Sequence, residues 1–152
     1  GAMKFYLLRV DPKKRMIFNP EESIDFHGFT GPFVQYTYAR IQSILRKVGE
    51  QLKMENGQLK MDKLLPLERQ LIIFLERYSN TISEAGNEMN PSVIANYVFN
   101  LAKLYNSFYA EHSVANAESE EKKKLRLQLS VMTANIIKNG LQLLGIKVPE
   151  RM

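Results

Sequence analysis

Phe33, Tyr36, Arg40 and Lys47 recur at helical spacing within the stretch GPFVQYTYARIQSILRK, residues 31–47. Stepping about 100° per residue, Val34, Tyr38, Ile41, Leu45 and Val48 fall in one narrow sector, an ordinary buried face. The aromatic and cationic residues form a second stripe about a third of a turn away, which folding alone does not require. Aromatic rings stack on unpaired bases for roughly 1–3 kcal/mol each. A guanidinium bonds base edges or phosphate in a fixed fork. The plain alternative is packing on a neighbouring helix, with Arg40 extending its head to solvent. Periodicity leaves both readings open.

A second aromatic cluster, Tyr97, Phe99, Tyr105, Phe108 and Tyr109, lies in YVFNLAKLYNSFYAEH. Tyr105 and Phe108 fall on an apolar stripe and read as core. Tyr109 sits at the edge of that stripe, where its hydroxyl reaches solvent or a ligand. Residues for enzymatic chemistry are sparse. With no cysteine, disulfides and thiolate metal sites are excluded and a reducing compartment fits best. The two histidines, His27 and His112, are far apart and lack patterned carboxylates. The reading is no catalytic residues and no metal site. Asp25-Phe26-His27-Gly28 has no catalytic partner. Lys60-Met61-Asp62-Lys63 superficially resembles the lysine-rich loop of class I aminoacyl-tRNA synthetases, but Asp62 replaces the serine. No Gly-rich or His-containing nucleotide motif and no βαβ pattern accompany it. The run ESEEKKKLR reads as a solvated helix start with no function.

The 152 residues suffice for one domain with a sizeable core, and 45% hydrophobic residues place the chain among globular proteins. A net charge of +5 and a pI near 9.4 mildly favour a polyanionic partner but settle nothing alone. No apolar run approaches the roughly 20 residues of a membrane span, and nothing resembles a signal peptide. Gly1-Ala2-Met3 reads as a cloning or protease scar, with the natural segment beginning near Lys4. The opening carries no N-terminal cap, so a fragment of a larger protein is expected.

Residues 3–10 are apolar and fit a helix end or a short strand. Turn chemistry at Asp11-Pro12 and Asn19-Pro20 makes the rest of residues 4–30 an irregular lead-in. Thr30-Gly31-Pro32 starts the first main helix, which runs to about Gly49. Residues 50–63 read as a polar loop. Pro66 opens a second helix carrying Leu67, Leu71, Phe74, Leu75, Tyr78, Ile82 and Ala85, ending near Gly86. Asn90-Pro91 caps a third with Ile94, Val98, Leu101, Tyr105 and Phe108 on one face. Ser119 starts a fourth with the stripe Leu125, Leu129, Met132 and Ile136, and Gly145 stops it. Nothing after residue 30 alternates with period two. The expected fold is all-α, a bundle of four main helices with an irregular N-terminal segment.

Four segments share a likeness: FNPEESIDFHGFTGPFVQYTYARIQSILRK, LPLERQLIIFL, LAKLYNSFY and the closing GLQLLGIKVPERM. Together they resemble the DALR-type anticodon-binding domain at the C-terminus of arginyl-tRNA synthetases. The resemblance spans nearly the whole chain, and residues 50–63 are its least similar part. Its specific motifs are Gln35-Tyr36-Thr37-Tyr38-Ala39-Arg40, where the family often has His for Tyr38, and Pro149-Glu150-Arg151-Met152. The Asp-Ala-Leu-Arg tetrad that names the domain is absent, as are the catalytic class I signatures.

The resemblance implies a helical module, residues 31–152, that receives the anticodon arm of tRNA-Arg. It implies a cytoplasmic parent enzyme that joins arginine to tRNA-Arg with ATP and Mg, while this segment holds no cofactor and is non-catalytic. The implied site is Phe33, Tyr36, Arg40, Lys47, Tyr109 and Met152. Phe33 falls where a tyrosine is common, so stacking survives and a hydroxyl contact does not. Met152 would offer an apolar side chain and, at the chain end, a carboxylate for exocyclic amines. A monomer is expected, with neither DNA nor membrane as partner. The alternatives are the equivalent domain of another class I synthetase, or a helical protein-interaction module.

Overall fold

Caps and prolines set the helix boundaries. In a computed structural model that describes residues 1–49 and 63–152, the described helices are α1 (Ala2–Leu8), α2 (Pro20–Ser23), α3 (Gly31–Gly49), α4 (Pro66–Glu76), α5 (Tyr78–Asn87), α6 (Ser92–Glu111) and α7 (Glu120–Leu143). The expected polar loop and the Lys60–Lys63 motif lie, apart from Lys63, outside the described residues. Thr30 Oγ1 accepts the Phe33 amide at 3.3 Å to begin α3. Asn90 Oδ1 accepts the Ser92 amide at 3.0 Å, and Ser119 Oγ accepts that of Lys122 at 3.1 Å. These side chains satisfy amides that have no intrahelical partner. Gly145 ends α7 with φ +68°. Its amide bonds the Gln142 carbonyl at 2.9 Å and that of Ile146 bonds the Leu141 carbonyl at 2.8 Å, the Schellman arrangement a left-handed glycine permits.

α3, α6 and α7 pack on one another, and α4 and α5 lie against α6. Val34, Ile41, Leu71, Val98, Leu101, Phe108, Ile137 and Leu141 are fully buried between them, each worth about 1.5–3 kcal/mol of apolar burial. At Gly140 the α7 backbone packs directly on the Val98 side chain of α6, since a Cβ there would lie 2.5 Å from Val98 Cγ1.

Three expectations need correction. The lead-in is not wholly irregular: α1 buries Phe5 and Tyr6, and Asn19 uses its side chain to cap the single turn of α2. Phe5 joins the core cluster of α3 and α6, so the segment is built into the bundle. The second main helix is two, α4 and α5, meeting at Arg77. Tyr97 Oη donates to the Phe74 carbonyl at 2.7 Å, and the Arg77 amide bonds the same oxygen at 3.2 Å. That carbonyl is thereby drawn away from a regular bond with the Tyr78 amide. The buried face of α7 is wider than the expected stripe: Leu125 and Leu129 are buried and Ile136 packs on the core, but the face extends round the helix beyond them. Met132 is 49% exposed while Arg126, Ser130 and Thr133 are buried. Ser130 and Thr133 donate their hydroxyls to carbonyls four residues back, each at 2.7 Å, so they enter the core without an unpaired polar atom.

Candidate nucleic-acid interface

Because Val34, Tyr38 and Ile41 turn α3 inward, the residues about a third of a turn away must face out. Tyr36 is 41% exposed, whereas Val34 and Ile41 are completely buried. Arg40, one helical turn beyond Tyr36, lays its guanidinium carbon 4.9 Å from the centre of the Tyr36 ring, a favourable cation–π placement. From the turn after α2, Phe26 meets Tyr36 in a T-shaped contact, with ring centres 6.3 Å apart.

The result is an open groove of about 700 Å³ lined by Phe26, His27, Phe33, Tyr36, Arg40, Asn106 and Met152. A second hollow of about 380 Å³ adjoins it, lined by Tyr36, Ala39, Arg40, Ser43, Arg46, Arg151 and Met152. Tyr36, Arg40 and Met152 border both. Among these lining residues none is acidic and three are arginines, so the surface favours an anionic partner with planar, stackable groups.

The chain after α7 completes the second hollow. Gln35 Nε2 donates to the Lys147 carbonyl at 2.7 Å, and Arg46 Nη1 donates to the Glu150 carbonyl at 3.2 Å. Ile146 is buried and Val148 packs on the core. The final segment is thus tied along α3, which brings Arg151 and Met152 to Tyr36 and Arg40. Beneath the groove, Phe33 leans on Phe99 at 5.2 Å and Phe99 on Phe29 at 4.4 Å, which anchors that wall in the core. Tyr105 Oη and Ser130 Oγ are 2.8 Å apart. Burial pushes the Tyr105 phenol up to about 12, partly offset by that hydrogen bond, so it stays neutral within the core.

Of the six residues implied from sequence, Phe33, Tyr36, Arg40 and Met152 share the groove. Lys47 is exposed but lines neither hollow. Its place in the second hollow is taken by Arg46, which lies one residue step round the helix toward the returning chain. Tyr109 lies outside the lining too, with its ring stacked over Tyr105 at 6.4 Å. Sequence reasoning missed Phe26, His27, Asn106, Ser43, Arg46 and Arg151. In the sequence Phe26 and His27 stand in a tetrad without a catalytic partner, and His27 lacks patterned carboxylates for a metal; neither consideration bears on stacking. Asn106 had one usable signal: it sits three residues before Tyr109, on the same face of α6. His112 packs on the Phe108 ring at 5.9 Å, away from His27, and no described cluster of His, Cys, Asp or Glu is able to hold a metal. No described helix is long and apolar enough to cross a membrane.

Comparison with known proteins gives a consistent pattern. The arginine–tRNA ligase of Flavobacterium psychrophilum is 52% identical over 152 residues, covering 100% of this chain and 25% of the ligase. That of Parabacteroides distasonis is 48% identical, covering 100% and 26%. The chain therefore spans about a quarter of the length of these curated relatives. Among solved structures, Thermus thermophilus arginyl-tRNA synthetase superposes with a TM-score of 0.86 at 35% identity, over 100% of this chain and 26% of that one. The Plasmodium falciparum arginyl-tRNA synthetase gives 0.82 at 25% identity, over 99% and 26%. The family model of the DALR anticodon binding domain matches residues 34–152. It begins within α3 and takes in every groove residue except Phe26, His27 and Phe33. The chain belongs to the DALR anticodon-binding domain family.

Proposed function

We propose that this chain is the anticodon-recognising part of an arginine–tRNA ligase, and that the groove between α3, α6 and the final residues receives anticodon-loop nucleotides of tRNA-Arg. The observation that carries this reading is the half-exposed Tyr36 ring with the Arg40 guanidinium 4.9 Å from its centre, at the meeting of two open hollows. A splayed base stacks on an exposed ring whatever its identity. The guanidinium then bonds the edge of that base or a neighbouring phosphate. Phe33 supplies an apolar wall and Met152 closes the groove. Tyr109 extends the α6 wall beyond Asn106, and Lys47 attracts phosphates from about 10 Å beyond Arg40 along α3, at 1.5 Å per residue. Residues 31–152 carry most of the recognising surface, and residues 4–30, with α1 and α2, lead into it and add Phe26 and His27 to its groove.

The parent enzyme, of which this chain represents about a quarter, would join arginine to tRNA-Arg with ATP and Mg in the cytoplasm. This chain contributes no catalytic group to that reaction and acts as a monomer. Fluorescence anisotropy with the tRNA-Arg anticodon stem-loop, against the same stem with a scrambled loop at one fixed salt concentration, tests the assignment. A clear preference for the native loop is expected. Equal affinity for the two hairpins would overturn it.

A further inference from the structure

Arg40 is not simply extended into the groove. Its Nη1 donates to Asn106 Oδ1 at 3.4 Å. Asn106 Nδ2 in turn donates to Thr37 Oγ1 at 3.0 Å, and Thr37 Oγ1 donates to the Phe33 carbonyl at 3.1 Å. Thr37 is fully buried. The relay therefore runs from the backbone of α3 through a fixed hydroxyl to an amide on α6, and returns to the guanidinium on α3. Its direction is set at each step: the threonine hydroxyl is committed to the carbonyl, so it accepts from the asparagine amide, and the asparagine oxygen is left facing the arginine.

We infer that Asn106, held by Thr37, is a specificity-determining positioning residue: it fixes the orientation of the Arg40 guanidinium over Tyr36 so that the remaining donors meet a base edge in one geometry. The inference rests on the recognition reading above. The chemistry separates two contributions of Arg40. Its charge attracts phosphate at any side-chain angle, as a point charge does. Bidentate hydrogen bonding needs the planar fork held in place. An arginine resting on one ring alone keeps the freedom to turn in the plane above it. The contact to Asn106 supplies the second constraint, since the two supports lie on different helices.

The ligand class follows from donors and acceptors. Arg40 offers only N–H groups, so the base it reads presents acceptors on its exposed edge. Because Asn106 also lines the groove, an exocyclic amine of that base meets the asparagine oxygen. A base edge with adjacent acceptor and N–H donor groups satisfies both residues.

The test uses this chain with Asn106→Ala, Thr37→Val, Arg40→Ala and the double variant Asn106→Ala/Arg40→Ala. Affinities for native and scrambled anticodon stem-loops are read at two salt concentrations, together with thermal melting. Asn106→Ala is expected to weaken the native loop by about three- to tenfold. The scrambled loop and the salt slope should stay unchanged, because the number of phosphates neutralised is the same. Thr37→Val should give a smaller shift in the same direction. In the Arg40→Ala background the Asn106 substitution should add little, since a positioning residue has nothing left to orient. Full discrimination by Asn106→Ala and Thr37→Val at unchanged melting would overturn the inference while leaving the recognition reading intact. Additive losses in the double variant would overturn it too, by showing that Asn106 acts on its own. No preference for the native loop by the unaltered chain would overturn both.

Discussion

Arg40 and Arg126 are the same residue in opposite situations. Arg126, on α7, is 1% exposed and has each of its nitrogens occupied. Nε donates to Glu68 Oε1 at 3.0 Å, Nη1 to the Ser113 carbonyl at 2.8 Å, and Nη2 to Glu118 Oε1 at 3.0 Å. Arg40 has one long bond to Asn106 and a ring beneath it, and opens on two hollows. Donors that the fold saturates hold the fold together. Donors left to an aromatic groove free of acidic residues await a partner. Chemistry alone does not sort an arginine into site or scaffold; the tally of satisfied donors does.

Arg126→Met separates the two most strongly. It keeps an unbranched side chain but removes the charge and the donors, leaving Glu68, among the described residues, with Lys122 and the Leu65 amide as partners. Breaking a buried pair from one side costs about 3–5 kcal/mol. Urea denaturation should show a loss of that order, and a variant as stable as the parent would mean that the network is dispensable. Arg40→Met should leave the urea midpoint nearly unmoved, because Arg40 is half-buried at the groove edge with one long hydrogen bond, and substitutions away from the core change stability by about 0.5 kcal/mol or less.

The reverse experiment reads binding. Tyr36→Ala and Arg40→Ala should each weaken anticodon stem-loop binding by about 1–3 kcal/mol while melting stays close to the parent. Ile41→Ala, on the buried face of the same helix, should lower stability by about 2–5 kcal/mol. Were Tyr36→Ala to unfold the chain as badly as Ile41→Ala, the second stripe would be core, and the contrast between the two arginines would collapse.

The difference also explains which parts of the molecule were legible in the sequence. Val34, Tyr38 and Ile41 announce their face because apolar residues at helical spacing have one use. Ser119, Asn90 and Gly145 announce helix ends because amides and carbonyls there need particular partners. Arg126 was read as part of a solvated charge run, since its carboxylate partner Glu68 lies 58 residues away and no local spacing points to it. The face of α7 is wider than its apolar stripe for the same reason: beyond Leu125 and Leu129 it takes in Arg126, Ser130 and Thr133, whose burial depends on bonds rather than hydrophobicity. The split between α4 and α5 depends on the Tyr97 hydroxyl, which arrives from another helix. In the groove, Tyr36 and Arg40 were visible as a pair on one helix. Asn106, Phe26 and Arg151 come from three other segments, and only folding brings them there.

Acid titration gives the smallest and most selective separation. Burial alone would raise the Glu68 carboxyl, but hydrogen bonds from Lys122, the Leu65 amide and Arg126 outweigh it and hold the group below its ordinary value of 4.5. In the unfolded chain that carboxyl titrates near its ordinary value, so around and below pH 4.5 the unfolded state binds more protons than the folded one. Stability from Glu68 is therefore complete well above pH 4.5 and is lost as pH falls through the lower folded value. Glu68→Gln does not titrate. Whatever its offset near neutrality, its stability should decline less steeply below pH 4.5 than that of the parent. Arg40→Ala should retain the parent's acid slope, because no carboxylate is among the described partners of Arg40. Chemical denaturation of the three proteins at intervals from pH 7 to pH 3 measures this. Parallel acid limbs for the parent and Glu68→Gln would show that the buried network does not hold Glu68 ionised. An altered limb for Arg40→Ala would show that the groove arginine is electrostatically tied to the fold, and so closer in kind to Arg126 than its open donors imply.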